Sequence, residues 1–118
     1  MLAGLVSLVG SLGLGCGSDT PSTQPTARDA ATSAACNYYA RCMEIGAGKT
    51  FASADDCLTQ VKANFQNRWP PDQCTTISSA GINNCITAIN IASCGNLQDI
   101  ADVLLNKCTQ ANVCVATK

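Results

Sequence analysis

Nine cysteines are the residues of this 118-residue chain with the clearest capacity for chemistry. Cys16 stands apart near the N-terminus, and the other eight fall between residues 36 and 114. These eight are Cys36, Cys42, Cys57, Cys74, Cys85, Cys94, Cys108 and Cys114. An even number of cysteines at wide, irregular spacing is typical of a disulfide framework formed in an oxidising compartment. We therefore predict that these eight cysteines form disulfides with one another.

Metal binding and thiol redox catalysis are the rival uses of such cysteines, and the spacing disfavours both. Structural zinc sites use close pairs such as C-x-x-C, often with histidine. The tightest intervals here are Cys36–Cys42 and Cys108–Cys114, each with five residues between, and the chain has no histidine. The C-x-x-C motif of disulfide oxidoreductases is also absent. We expect no metal and no cofactor.

The carboxylates do not form a convincing catalytic set either. Asp55, Asp56 and Asp99 fall where helices are expected to begin, and a carboxylate there stabilises the helix through its dipole. The patterns of a nucleophile elbow, a phosphate loop and a calcium loop are all missing. The net charge of −1 leaves no basic surface for nucleic acid. The sequence therefore predicts a protein that is not an enzyme and does not bind nucleic acid.

Residues 1–15 have the character of an export signal. They carry no charged side chain and are rich in Leu, Val and Gly. The apolar run is shorter than the roughly 20 residues that a membrane-spanning helix needs. Four glycines also argue against a buried N-terminal helix. We predict a signal peptide over residues 1–15.

The segment that closes this leader, Leu12-Gly13-Leu14-Gly15-Cys16, resembles a bacterial lipobox. The resemblance implies a diacylglyceryl group on the thiol of Cys16 and cleavage just before it. Lipidation would also account for the ninth cysteine, which has no partner in an even set. In lipoproteins of this kind, an Asp directly after the lipidated cysteine is typical of retention in the inner membrane. This chain has Gly17 at that position, so the resemblance implies an outer-membrane lipoprotein. The alternative is plain secretion with Cys16 unpaired or paired to another molecule.

Residues 17–33 are rich in Ser, Thr, Pro and Ala and contain no large apolar side chain. Such a composition buries too little surface to fold by itself. We predict that residues 16–33 comprise the lipidated cysteine and a flexible linker, and that a cysteine-rich helical domain spans residues 34–118.

Apolar residues at three- and four-residue intervals predict four helices in this domain. The first carries Ala35, Tyr38, Cys42 and Ile45 on one face, and Gly46 and Gly48 end it. Tyr38 is expected to pack inward, with Tyr39 at the rim. In the second helix, Ser53 is the expected N-cap, Leu58, Val61 and Phe65 form the apolar face, and Pro70-Pro71 stops it.

The third and fourth predicted helices follow the same logic. Ser78 or Ser79 caps the third, Ile82, Cys85, Ile86 and Ile89 face the core, and Gly95 closes it. Asn96 caps the fourth, along which Leu97, Ile100, Leu104 and Cys108 align. The sequence thus predicts an all-α, disulfide-stapled four-helix domain in which the disulfides supply stability that a core poor in aromatic residues lacks.

An up-and-down arrangement of these helices suggests one set of disulfide pairs among the 105 that eight cysteines allow. Cys42 ends the first helix and Cys57 begins the second, so Cys42–Cys57 is the first expected pair. Three further pairs follow from the same assumption: Cys36–Cys85, Cys74–Cys108 and Cys94–Cys114.

The segment FASADDC and the cysteine rhythm of residues 36–114 resemble uncharacterised small cysteine-rich lipoproteins of Gram-negative bacteria. This resemblance implies a compartment and no activity. We expect a membrane-anchored lipoprotein whose non-catalytic module has an envelope or partner-binding role. The alternative is a carrier of a small lipid or another hydrophobic ligand, for which a continuous apolar cavity above roughly 300 Å³ would be the structural sign.

Overall fold

The computed structural model describes residues 20–95 and 97–115. These residues form five helices: α1 (Gln24–Arg41), α2 (Ala54–Arg68), α3 (Ser79–Ile91), α4 (Leu97–Asn106) and α5 (Gln110–Val113). Extended structure in the described part is limited to two isolated bridges, which pair Ile45 with Phe51 and Ile77 with Cys114. The predicted all-α, disulfide-rich class is confirmed, with the single-turn helix α5 added to the four expected helices.

The first helix begins ten residues before the predicted domain boundary. Thr23 caps it, accepting from the Thr26 backbone N–H while the Thr26 side chain accepts from the Thr23 N–H. Ala27 and Ala31 are completely buried, so small side chains form the contact face of this segment. The prediction of a flexible linker was therefore wrong for residues 24–33, because alanines bury little area singly but let another helix approach closely.

Helix α1 runs antiparallel to α2 and parallel to α3. At its start, the Gln24 Nε2 donates to the backbone oxygen of Trp69, which ends α2. At its end, the Tyr38 hydroxyl donates to the backbone oxygen of Ser93, 2.9 Å away and just beyond α3. Helix α1 therefore packs on both neighbours.

Several predicted helix boundaries agree with the structure. The side chain of Ser53 caps α2 by accepting from the Asp56 N–H, and that of Ser78 caps α3 by accepting from the Gly81 N–H. Helix α2 ends at Arg68, just before Pro70-Pro71. Tyr38 is buried and Tyr39 is half-buried, as predicted. Asn96, the expected cap of α4, lies outside the described residues.

Other details differ from the prediction. Helix α1 stops at Arg41, because Cys42 is tied away by a disulfide and Met43 adopts a left-handed conformation with φ of 61°. Helix α3 ends at Ile91 rather than near Gly95. Leu58 is exposed, because Cys57 takes the inward position at this turn of α2.

The C-terminal segment closes the domain against α3. The Ser78 N–H donates to the Val113 oxygen at 2.8 Å, and the Val115 N–H donates to the Thr76 oxygen at 2.9 Å. Gly81 lies directly against the backbone of Asn112, leaving no room for a Cβ atom. A glycine is needed at this point because α3 and α5 touch through their backbones.

All eight domain cysteines are paired, which confirms the predicted set, but every predicted pair was wrong. The disulfides are Cys36–Cys57, Cys42–Cys94, Cys74–Cys114 and Cys85–Cys108. Cys57 lies one turn inside α2, alongside Cys36 in the antiparallel helix α1. Cys42 instead meets Cys94, because the parallel helices α1 and α3 end at the same side of the domain.

Candidate functional site

The residues that the sequence offered for chemistry have structural roles in the folded domain. The eight paired cysteines hold no free thiol, and Cys16 lies outside the described residues. Asp56 accepts from the Ala52 N–H, and Asp99 accepts from the Ser93 N–H at 2.7 Å, so both carboxylates organise helix starts. In the described part of the chain, His, Cys, Asp and Glu form no cluster of three or more that could hold a metal ion.

An apolar groove between α2 and α4 is a surface feature suited to binding. It encloses about 150 Å³, and α1 supplies its floor. The lining residues are Ala35, Tyr39, Phe51, Gln60, Val61, Asn64, Phe65, Ile100 and Leu104. We refer to this feature as the α2–α4 groove.

Helical periodicity explains why these side chains share one groove. Ala35 and Tyr39 lie four residues apart on α1, and Ile100 and Leu104 do so on α4, so each pair covers one helix face. The α2 residues form two further pairs at the same four-residue spacing, Gln60 with Asn64 and Val61 with Phe65. Ala35 is almost completely buried and its side chain is small, which gives the groove its depth.

The groove has an apolar interior and a neutral polar rim. Gln60 and Asn64 contribute carboxamides, which are already engaged with Asp56 and Arg68 respectively. Arg68 also spans from α2 to α4, where its Nη1 donates to the Leu104 oxygen at 3.4 Å. Among the described lining residues, Tyr39 alone carries an ionisable group.

An aromatic cluster lines the groove beside the C-terminal end of α1. The Tyr39 ring meets Phe51 edge-on, with ring centroids 4.9 Å apart, and meets Tyr38 in the same way at 5.2 Å. Burial, followed by the neighbouring Tyr38 and Glu44, raises the pKa of Tyr39 above its ordinary value. The phenol is therefore neutral at physiological pH and presents a hydroxyl and a ring face.

These features suit the binding of one uncharged apolar group. A cavity of about 150 Å³ accommodates a benzene-sized molecule. The groove is too small for the extended acyl chain of a lipid, and its described lining offers neither a nucleophile nor a charged pair for catalysis.

Sequence reasoning anticipated parts of this groove without assembling them. The Ile100 and Leu104 stripe, the inward Val61 and Phe65, and the rim position of Tyr39 were all expected. Phe51 carried no signal, since it lies in the loop between α1 and α2 and reaches the groove through its bridge with Ile45. The separation of α2 from α4 has no marker in local sequence.

The fold and the groove define a small, all-α, disulfide-rich domain, and four disulfides indicate an oxidising extracellular or periplasmic environment. The chain belongs to the family of unknown function DUF6184, whose model matches residues 36–116. Comparison with curated proteins and with solved structures found no match. None of the described helices is long and apolar enough to cross a membrane.

Proposed function

We propose that this chain is an exported, membrane-anchored lipoprotein whose helical domain binds a partner protein without catalysis. In this proposal the α2–α4 groove receives one large apolar side chain of the partner. The observation that carries it is an uncharged apolar groove of about 150 Å³ on a domain whose eight described cysteines are all paired in disulfides. Buried pockets that take a single anchor side chain are typical of energetically dominant positions in protein interfaces.

The anchoring half of the proposal rests on the leader and on Cys16. A lipid on this cysteine would place the domain at the outer membrane, facing the periplasm or the cell surface. The four disulfides suit either face, since both lie outside the reducing cytosol.

A hydrophobic-ligand carrier is the second candidate, favoured by the aromatic and aliphatic lining of the groove. The volume limits such a ligand to a single ring or a short branched chain. It therefore supports a side-chain pocket over a carrier of long-chain lipids.

Replacing Cys16 with serine tests the anchor. We expect the Cys16→Ser protein to move from the membrane fraction to the soluble fraction, because serine has no thiol to carry the diacylglyceryl group. Intact mass of the native protein should show cleavage before Cys16 and the added mass of acyl chains. A Cys16→Ser protein that remains membrane-bound to the same extent would contradict the lipid anchor.

Photo-cross-linking at the groove, followed by filling the groove with a larger side chain, tests the binding site. A photoreactive side chain at Asn64, on the groove rim, is expected to give a discrete cross-linked protein in cells, whereas one at the exposed Asn67 of the same helix is not. Adding Leu104→Trp should reduce this cross-link by about tenfold or more, the effect of losing one anchor contact.

Leu105→Trp is the matched control, because Leu105 neighbours Leu104 but is 62% exposed and lies outside the groove lining. This variant should keep the cross-link. Equal yields from positions 64 and 67, or equal losses in the two tryptophan variants, would refute the groove as the partner site. If toluene changes the NMR chemical shifts of the groove amides and no cross-link forms, the carrier is favoured.

A further inference from the structure

The disulfide Cys42–Cys94 is more exposed to solvent than the other three, whose cysteines are all buried. Cys94 is exposed and Cys42 is half-buried. The remaining six cysteines are at most 8% exposed, and four of them are completely buried. Thiol–disulfide exchange requires a thiolate to reach a sulfur atom, so the greater exposure of Cys42 and Cys94 favours attack at this bridge over the others.

A hydrogen-bonded cation lies beside the sulfur of Cys94. The Nη1 of Arg41 is 3.6 Å from Cys94 Sγ. The same guanidinium donates to the backbone oxygens of Asn90, at 3.1 Å, and Ala92, at 3.4 Å, and lies over the Tyr38 ring. These contacts hold the positive charge in place, where it would stabilise the negative charge of a Cys94 thiolate once the bridge opens.

We propose that Cys42–Cys94 is a thiol-exchange site, which a thiolate opens selectively while the other three disulfides stay closed. The incoming thiolate attacks Cys42 Sγ and forms a mixed disulfide. The Cys42–Cys94 bond breaks, and its electron pair leaves with Cys94 as a thiolate facing Arg41. A leaving thiol of lower pKa departs faster, so Arg41 directs the reaction towards this product.

The exchange is completed by a second thiolate of the reductant. It attacks the reductant's own sulfur in the mixed disulfide and releases Cys42 as a thiolate. The dithiol reductant is thereby oxidised by two electrons to a disulfide, while Cys42 and Cys94 become two thiols that take up the two protons the dithiol gave up. A monothiol instead stops at the mixed disulfide until a second molecule arrives.

The surrounding contacts allow the bridge to open without unfolding the domain. Ser93, beside Cys94, remains held by the Tyr38 hydroxyl and by the Asp99 carboxylate. The Arg41 bonds to Asn90 and Ala92 also join the ends of α1 and α3 independently of the disulfide. The domain should therefore keep its helical content when only this bridge is reduced.

Timed partial reduction of the oxidised protein tests the proposal. The protein is treated with dithiothreitol in one arm and with glutathione in the other, then quenched with acid, alkylated and peptide-mapped. We expect Cys42 and Cys94 to be labelled about tenfold or more faster than any other pair, in line with their access. Glutathione should yield a mixed disulfide on Cys42, and circular dichroism should stay unchanged through this first step.

Charge variants separate the role of Arg41 from simple exposure. Arg41→Gln should slow labelling of Cys42 and Cys94, relative to the other pairs, by on the order of threefold, because the leaving thiolate loses its cation. Arg41→Lys should restore much of the rate. Arg68→Gln is the matched control, since Arg68 also donates to a side chain and to a backbone oxygen but contacts no sulfur.

Two results would overturn the proposal. One is labelling of all four pairs at a common rate, which would mean that global unfolding limits the reaction. The other is a wild-type protein in which a buried pair is reduced first. An Arg41→Gln protein that reacts as fast as wild type would overturn the directing role of the guanidinium.

Discussion

Replacing Trp69 with alanine is expected to lower the free energy of unfolding by about 3–5 kcal/mol, the usual cost of removing a large buried ring. Trp69 is completely buried at the end of α2, and its ring packs on Phe65 with centroids 4.8 Å apart. Its indole N–H donates to the Cys108 oxygen at 2.9 Å. One side chain thus connects α2 to the segment between α4 and α5.

Guanidinium unfolding of the oxidised proteins, followed by far-ultraviolet circular dichroism, measures this effect. Trp69→Phe should cost less than Trp69→Ala, because it keeps an aromatic ring in the core. It should still destabilise the domain by about 1–3 kcal/mol, because the Cys108 oxygen loses its buried donor. Ile91→Ala is the surface control, since Ile91 is 76% exposed. Equal stability of the Trp69→Ala and Ile91→Ala proteins would show that Trp69 does not anchor the core.

Gly81→Ala should destabilise the domain, contrary to the usual effect of this substitution in a helix. Alanine is favoured over glycine in helices by about 1 kcal/mol. At this position the new Cβ would overlap the Asn112 carbonyl oxygen and lie 2.8 Å from its carbon. We expect a net loss of about 1–3 kcal/mol, the typical cost of overpacking, as α5 is pushed from α3.

The control for this variant is Asn83→Ala, at an exposed position two residues further along the same helix. Helix propensity acts at both positions, whereas the contact with α5 acts only at Gly81. Asn83→Ala should therefore leave stability unchanged or raise it slightly. If Gly81→Ala raises the midpoint of thermal unfolding as Asn83→Ala does, the close approach of α3 and α5 is not present in solution.

Local physical rules were sufficient to predict the helices that have strong caps and large apolar residues. Ser53 and Ser78 cap the N-terminal ends of helices because their side chains accept from free backbone N–H groups. This pattern is visible in a few consecutive residues of the sequence. The first ten residues of α1, nearly three turns, were missed, because an alanine-rich composition is common to flexible linkers and tightly packed helices.

The disulfide pairs could not be derived from local rules. Each pair depends on which helices are neighbours and on how far each helix extends. The prediction placed Cys42 opposite Cys57 as if α1 and α2 met at their ends. In the structure the two helices overlap instead, which brings Cys36 to Cys57 and frees Cys42 to reach Cys94. The α2–α4 groove depends on tertiary packing in the same way.

The connectivity of the four disulfides also determines how the domain withstands cutting of its backbone. Cys36–Cys57 overlaps Cys42–Cys94 along the chain, which in turn overlaps Cys74–Cys114, so every peptide bond from residue 36 to residue 114 is spanned by at least one bridge. A protease that cuts one bond in this region releases no fragment, because both products remain covalently joined. The oxidised domain can thus be nicked and still remain a single molecule.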